Sequence, residues 1–310
     1  MGLRGRHIIS AFDLSSDEIW RLLEITSIMK SKYYSGERVL NILKGKTLGL
    51  VFQKHSTRTR VSLELAMKQL GGDAIYMNWN ELQLGRGESV SDTARVLSRY
   101  LDGLALRVYS HELLYEMASA SSIPIINALS NEEHPLQAYS DFYTIYEKKK
   151  RISGLKIVFI GDGRDNVLNS LIAVSSMLGA TLYIATPPDY YPSKKILERA
   201  YRLAEVTGAS IEVLDDPVRA AKDADVIYTD VWVSMGQEGE RDKRIKDLEP
   251  YRVTGKLMSL AKKDAIFMHC LPARRGEEVE DQVIDGPQSV VWDQAENRLH
   301  LQKALLSMIL

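Results

Sequence analysis

Short runs of apolar, largely β-branched residues alternate along the chain with longer stretches whose apolar positions recur every three or four residues. The first pattern reads as strand and the second as amphipathic helix, and their regular alternation predicts parallel sheets with helices on both faces. Strands are predicted at 47–52, 74–77, 104–108 and 123–127, and a second series at 155–160, 181–185, 210–214, 226–229 and 265–269. The expected fold class is therefore α/β, with two doubly wound domains of comparable size. The clearest helix start is Ser15 with Glu18, a capping box ahead of Ile19, Leu22, Leu23 and Ile25. A helix over 135–150 bridges the two strand series, which puts the domains at 1–147 and 148–295. The last stretch, 296–310, reads as a helix with no strand after it, and its pattern leaves open which domain it packs on.

Length and composition narrow the class. A chain of 310 residues with 45% hydrophobic content is long enough for two buried cores. Forty basic residues oppose forty-one acidic ones, and the longest run of one sign is Lys148 to Arg151, which reads as a solvated helix end. There is no basic stripe of the kind that nucleic acid demands. Cys270 is the only cysteine, which leaves no intrachain disulfide and no Cys-x-x-Cys cluster and points to a reducing compartment. The first residues lack the apolar core of a signal peptide, and no apolar run approaches the roughly 20 residues of a membrane span. A soluble cytoplasmic protein is expected.

Candidate chemistry gathers where predicted strands end. Ser56-Thr57-Arg58-Thr59-Arg60 lies between a strand and a helix, and such a turn offers backbone N–H groups, hydroxyl donors and a favourable dipole to a phosphate. Arg58 and Arg60 add charge and fork geometry. An ordinary Ser/Thr cap with solvated arginines has the same local pattern, and the Gly and Lys of a Walker loop are missing. Arg107 falls at the end of the third strand, and His134-Pro135-Leu136-Gln137 follows the fourth at the mouth of a helix. In an open parallel sheet the carboxyl ends of strands share one crevice, so these segments are expected to converge. His134 then supplies a donor for a polarised carbonyl, and Gln137 a partner for an amide.

In the second series, Gly161-Asp162-Gly163-Arg164-Asp165-Asn166 imitates a dinucleotide fingerprint but fails it twice. Asn166 stands at the third glycine position, and Ala185-Thr186-Pro187-Pro188 follows the next strand where an acidic ribose ligand belongs. A nicotinamide-dependent oxidoreductase is thereby disfavoured. Asp230 to Gly236 follows the fourth strand of this series, where Asp230 and Ser234 suit an ammonium. His269-Cys270-Leu271-Pro272 follows the fifth, where the thiol suits acid–base contact with a nucleophile or, equally, plain packing.

Taken together, these segments with Gln83 and Arg298 resemble the aspartate/ornithine carbamoyltransferase family over essentially the whole chain. The Ser-Met-Gly run at 234–236 and the Cys270-Leu271 pair are similar to its ornithine branch. The resemblance implies carbamoyl transfer from carbamoyl phosphate to the δ-amine of L-ornithine, without metal, cofactor or covalent intermediate. It implies that Ser56, Thr57, Arg58, Thr59 and Arg107 bind the phosphate, and that Arg58, Thr59 and His134 face the carbamoyl oxygen. Gln137, Cys270, Leu271 and Arg298 would hold the amide end. Asn166 and the Met235 backbone would hold the ornithine carboxylate, Asp230 and Ser234 the α-ammonium, and Cys270 the δ-nitrogen. It further implies a homotrimer or an assembly of trimers, with Gln83 completing a neighbour's site, and a last helix that returns to the first domain. Asp165 is a departure, since the family often has a second Asn there. Carbamoylation of another amine, such as putrescine or a lysine-like amino acid, is the nearest alternative.

Overall fold

A computed structural model describes residues 2–234 and 237–310, which form two α/β units, Met1–Tyr143 with Glu296–Leu310 and Thr144–Ala295. The first unit holds strands β1 (Thr47–Phe52), β2 (Asp73–Asn78), β3 (Gly103–Arg107) and β4 (Ile125–Leu129), all parallel in the order β2-β1-β3-β4. Helices α1 (Ser16–Tyr34), α2 (Arg58–Gln69), α3 (Val90–Leu97), α4 (Glu112–Ala120) and α5 (Pro135–Lys149) accompany them. Strands β3 and β4 are buried along their whole length, as expected where helices cover both faces, whereas the edge strand β2 is half exposed.

The second unit holds β5 (Lys156–Ile160), β6 (Thr181–Ala185), β7 (Ser210–Leu214), β8 (Val226–Thr229) and β9 (Ile266–His269), parallel in the order β7-β6-β5-β8-β9. Its helices are α6 (Asn166–Leu178), α7 (Lys194–Thr207), α8 (Pro217–Ala221), α9 (Arg241–Leu248), α10 (Gly255–Met258) and α11 (Asp281–Ile284). Every residue of α6 after Asn166 is buried, so this helix is core rather than covering. Helix α12 (Val291–Ile309) begins in this unit, and from Glu296 onward it belongs to the first, where Leu301, Leu305, Leu306 and Ile309 are buried.

The capping box of α1 is formed as the sequence predicts: Ser15 Oγ accepts from Glu18 N–H and the Glu18 carboxylate accepts from Ser15 N–H. Two predicted elements move by more than one residue. The strand predicted at 123–127 is Ile125–Leu129, because Pro124 lacks the N–H a ladder needs and Ser121 ties the preceding turn by donating to the Ile123 carbonyl. The last helix starts at Val291, five residues before the predicted 296. The extra turn contains Gln294, whose buried amide accepts from His269 N–H at 2.9 Å and donates to Tyr228 Oη at 3.1 Å, a fixed core role for a residue that reads as loop.

Each sheet reverses its winding once. In the first unit β2 lies to one side of β1 and β3 to the other, and in the second β6 and β8 flank β5 in the same way. At such a switch point the connections leave in opposite directions and open a crevice at the strand carboxyl ends. The ends of β1 and β3 present Ser56 to Arg58 and Arg107, and the ends of β5 and β8 present Asp162 to Asn166 and Asp230.

Candidate active site

In the first unit a cationic cluster forms around His134. Arg298, on α12 and 3% exposed, donates from Nη2 to Thr59 Oγ1 at 2.9 Å and from Nη1 to Gln137 Oε1 at 2.5 Å. The same Nη1 lies 3.4 Å from His134 Nε2. An arginine nitrogen only donates, so Nε2 accepts and a neutral ring carries its hydrogen on Nδ1. Gln137 in turn donates from Nε2 to Asp141 Oδ1 at 2.8 Å, which fixes the orientation of its amide. Burial, followed by the charges of Arg298, Arg107 and Arg58, holds His134 well below its ordinary pKa. The ring is therefore neutral at pH 7, a hydrogen-bond donor rather than a cation. The charges of three guanidinium groups, from α2, β3 and α12, thus act on one uncharged imidazole, and the Arg298 group touches it.

Local structure puts each of these groups in place. Ser56 Oγ accepts from Thr59 N–H at 3.2 Å and so ties off the turn in which α2 begins. The β3–β4 register shifts between Leu106 and Arg107, and such an irregularity re-aims the side chain at the strand end. His134 directly precedes the first residue of α5, and Pro135 at that first position costs no hydrogen bond.

In the second unit the ends of β8 and β9 bring Asp230, His269 and Cys270 together, one heteroatom of each within 4.8 Å of the others. Leu271 N–H donates to His269 Nδ1 at 2.9 Å, so Nε2 carries the ring hydrogen and donates to the buried Glu278 at 3.1 Å. Leu271 itself adopts a left-handed backbone, φ 60°, which for a side chain branched beyond Cβ is uncommon and marks a held turn. Burial raises the Asp230 carboxyl above the usual range, and His269 together with a hydrogen bond from Cys270 works against that rise. Asp165 caps α6 by accepting from Leu168 N–H at 2.8 Å. Burial, followed by the nearby charge of Asp230, pushes its carboxyl well above the ordinary value. Asn166 is the first residue of α6, and Ser234 N–H donates to Gln237 Oε1 at 3.1 Å.

Not every predicted residue joins a cluster. Arg60, two positions past Arg58 and so on the other side of α2, pairs with Glu64 at 2.9 Å and stacks over the Tyr76 ring at 3.7 Å. Its expected contribution to the phosphate site is withdrawn on that geometry. Thr57 and Gln83 have exposed side chains, and Gln83 opens a single turn at Gln83–Arg86. Met235 lies outside the described residues. Of the basic run at 148–151, Lys148 pairs with Asp293 at 2.7 Å and Lys149 with Asp264 at 3.0 Å, so its first half is a set of ion pairs. Sequence reasoning missed Asp141, Glu278 and Arg244, whose partners Gln137, His269 and Asp162 lie 4, 9 and 82 residues away and which carry no local motif.

The sequence matches two family descriptions end to end: "Aspartate/ornithine carbamoyltransferase, carbamoyl-P binding domain" over residues 6–147 and "Aspartate/ornithine carbamoyltransferase, Asp/Orn binding domain" over residues 153–309. An ornithine carbamoyltransferase of Hyperthermus butylicus is 56% identical over 308 residues, 99% of this chain and 98% of that one. The anabolic ornithine carbamoyltransferase of Pyrococcus furiosus is 51% identical over 310 residues, 100% of this chain and 98% of its own. Among solved structures, ornithine carbamoyltransferase from Pyrococcus furiosus superposes with a TM-score of 0.96 at 51% identity, covering 100% of this chain and 98% of that one. The anabolic enzyme from Campylobacter jejuni gives 0.92 at 42% identity, with 97% of each chain covered. With both halves matched in order and whole-length relatives at this identity, the chain belongs to the aspartate/ornithine carbamoyltransferase family.

Proposed function

We propose that this protein transfers the carbamoyl group of carbamoyl phosphate to the δ-amine of L-ornithine, giving L-citrulline and phosphate in arginine metabolism. The observation that carries the reading is the neutral His134 in contact with Arg298 and under the charges of Arg107 and Arg58. A dianionic phosphate and a carbonyl oxygen that turns anionic call for such a set. In this reading Ser56, Thr57, Arg58, Thr59 and Arg107 bind the phosphate, and His134 donates to the carbamoyl oxygen. Gln137 and Arg298, with the carbonyls of Cys270 and Leu271, hold the amide end. The amine nitrogen forms its bond to the carbamoyl carbon as the bond from that carbon to the phosphate oxygen breaks. The departing phosphate takes the bonding pair, and the proton that the nitrogen gives up ends on it as hydrogen phosphate.

The acceptor follows from the Asp230–His269–Cys270 group and from the relatives that carry the ornithine name. A δ-amine with a pKa of about 10.4 is mostly protonated at neutral pH. Cys270, hydrogen-bonded to Asp230, favours the neutral amine and aims its lone pair. Asn166 and the Met235 backbone take the α-carboxylate, and Asp230 and Ser234 the α-ammonium. The assembly is a cytoplasmic homotrimer or a set of trimers in which Gln83 completes a neighbouring site. No helix among the described residues is long and apolar enough to cross a membrane.

Steady-state kinetics of Cys270→Ser test the assignment. The change is nearly isosteric, so a space-filling thiol predicts kinetics close to wild type. A thiol against the δ-nitrogen predicts a large fall in kcat, a displaced pH–rate profile and an unchanged KM for carbamoyl phosphate. Kinetics indistinguishable from wild type between about pH 6 and 10 would remove Cys270 from the catalytic step.

A further inference from the structure

Among the described residues of the second unit, Arg244 alone buries an arginine side chain, at 4% exposure. It stands on α9, outside every segment to which the reaction has been assigned. Its Nη1 lies 2.6 Å from Asp162 Oδ2 and 3.3 Å from the Trp232 carbonyl oxygen, and its Nε lies 3.0 Å from Glu240 Oε2. The guanidinium also lies 5.4 Å from the centre of the Tyr190 ring. Asp162 is in the turn between β5 and α6 that goes on to Asp165 and Asn166. Trp232 and Glu240 bracket the segment that carries Ser234. Of the groups assigned to the amino-acid acceptor, Asn166 and Ser234 therefore come from two separate pieces of chain, and one guanidinium nitrogen is bonded to both pieces.

We infer that Arg244 is the positioning residue of the amino-acid pocket: by bonding Asp162 and the Trp232 carbonyl at once, it sets the register between the turn that bears Asn166 and the segment that bears Ser234. This inference rests on the proposed ornithine reaction and deepens it. Both contacts leave from one nitrogen, Nη1, and the Nε contact to Glu240 fixes the plane of the guanidinium, whereas a lysine ammonium supplies the charge without that second, orienting nitrogen. The surroundings give the charge a second consequence. Asp162, Asp165 and Asp230 all sit at the carboxyl ends of β5 and β8, and Arg244 is the cation paired with Asp162. With that carboxylate paired, the α-ammonium is left to Asp230, to which it is assigned. Glu240 is largely exposed and adds a peripheral contact.

A buried ion pair with no part in binding would also be costly to break, so stability and substrate affinity must be separated. The test compares R244M, R244K, D162N and the double variant D162N/R244M in the full-length enzyme. Each is measured for thermal midpoint, for KM of ornithine and for KM of carbamoyl phosphate. R244M is expected to raise the ornithine KM roughly 10-fold or more and to leave the carbamoyl phosphate KM within about 2-fold. R244K should fall between R244M and wild type, since it keeps the charge and loses the Nε contact that orients the guanidinium. The double variant removes both buried charges, so its midpoint should recover toward wild type while its ornithine KM stays raised. A double variant that recovers the midpoint and the KM together would show that Arg244 only neutralises Asp162, and the inference would fall. A wild-type ornithine KM in R244M would overturn it directly. If R244M does not fold, R244K and the double variant carry the same comparison. A wild-type enzyme that forms no citrulline would instead refute the proposed reaction and this inference with it, an outcome distinct from an active R244M with unchanged KM.

Discussion

Asp165 shows how one carboxyl couples structure to pH. It caps α6 through Leu168 N–H, and burial and then Asp230 raise its pKa well above the ordinary carboxyl value. A raised folded-state pKa means that the folded protein holds this proton where the unfolded chain has lost it, so the contribution to stability falls as pH rises from the ordinary value, about 3.9, through the raised one. Asn caps a helix as well as Asp and carries no charge. Asp165→Asn should therefore stabilise the protein at pH 7.5 and do so much less at pH 4.5, as read by thermal denaturation at both. Equal shifts at the two pH values would mean that the carboxyl is not strained as described. The residue scale is also where the sequence is read most unevenly. Arg58, Arg107, His134 and Gln137 stand at strand ends or helix starts, so topology predicts their convergence before any coordinates exist. Arg60 differs from Arg58 only in its direction off α2, and its neighbours Glu64 and Tyr76 decide that direction. Arg244 and Glu278 find their partners 82 and 9 residues away, through a fold that the local pattern does not encode.

At the scale of elements, parallel strands buried on both faces read as apolar runs, which makes them easy to place and their ends hard to fix. Predicted strands at 47–52, 181–185, 210–214 and 226–229 coincide with β1, β6, β7 and β8. The fourth strand slips by two residues because Pro124 breaks the ladder, a constraint outside the apolar pattern. The turn after β5 is the opposite case. It imitates a dinucleotide fingerprint, yet its glycine at 163 is required for packing. A Cβ there would meet the Tyr190 carbonyl oxygen at 2.3 Å and Thr186 Cγ2 at 2.9 Å, and Gly163 N–H donates to Thr186 Oγ1 at 3.0 Å. Backbone cannot yield as a side-chain tip can, so Gly163→Ala should destabilise the protein by about 1–3 kcal/mol in denaturant titration. A change below about 0.5 kcal/mol, the scatter of ordinary surface substitutions, would contradict the packing described.

At the scale of the whole molecule, the two units repeat one principle. Each is a parallel sheet whose winding reverses once, and each gathers its polar groups after the carboxyl ends of the strands at and next to that reversal. The first unit collects arginines around a neutral histidine, and the second collects carboxyls, a histidine and a thiol. One suits an anion with a polarised carbonyl, the other an amino acid with an amine to be activated. The alternation of strand and helix in the sequence already implies this plan. The part played by α12 is less legible, since Arg298 lies more than 150 residues from the histidine and glutamine it contacts, at 3.4 and 2.5 Å. The most direct test of the account is product analysis with purified enzyme, carbamoyl phosphate and each acceptor in turn. Citrulline and phosphate should form in equal amounts from ornithine, with aspartate and putrescine carbamoylated at rates lower by at least about 100-fold in kcat/KM. Comparable turnover of putrescine or aspartate, or phosphate release without citrulline, would contradict it.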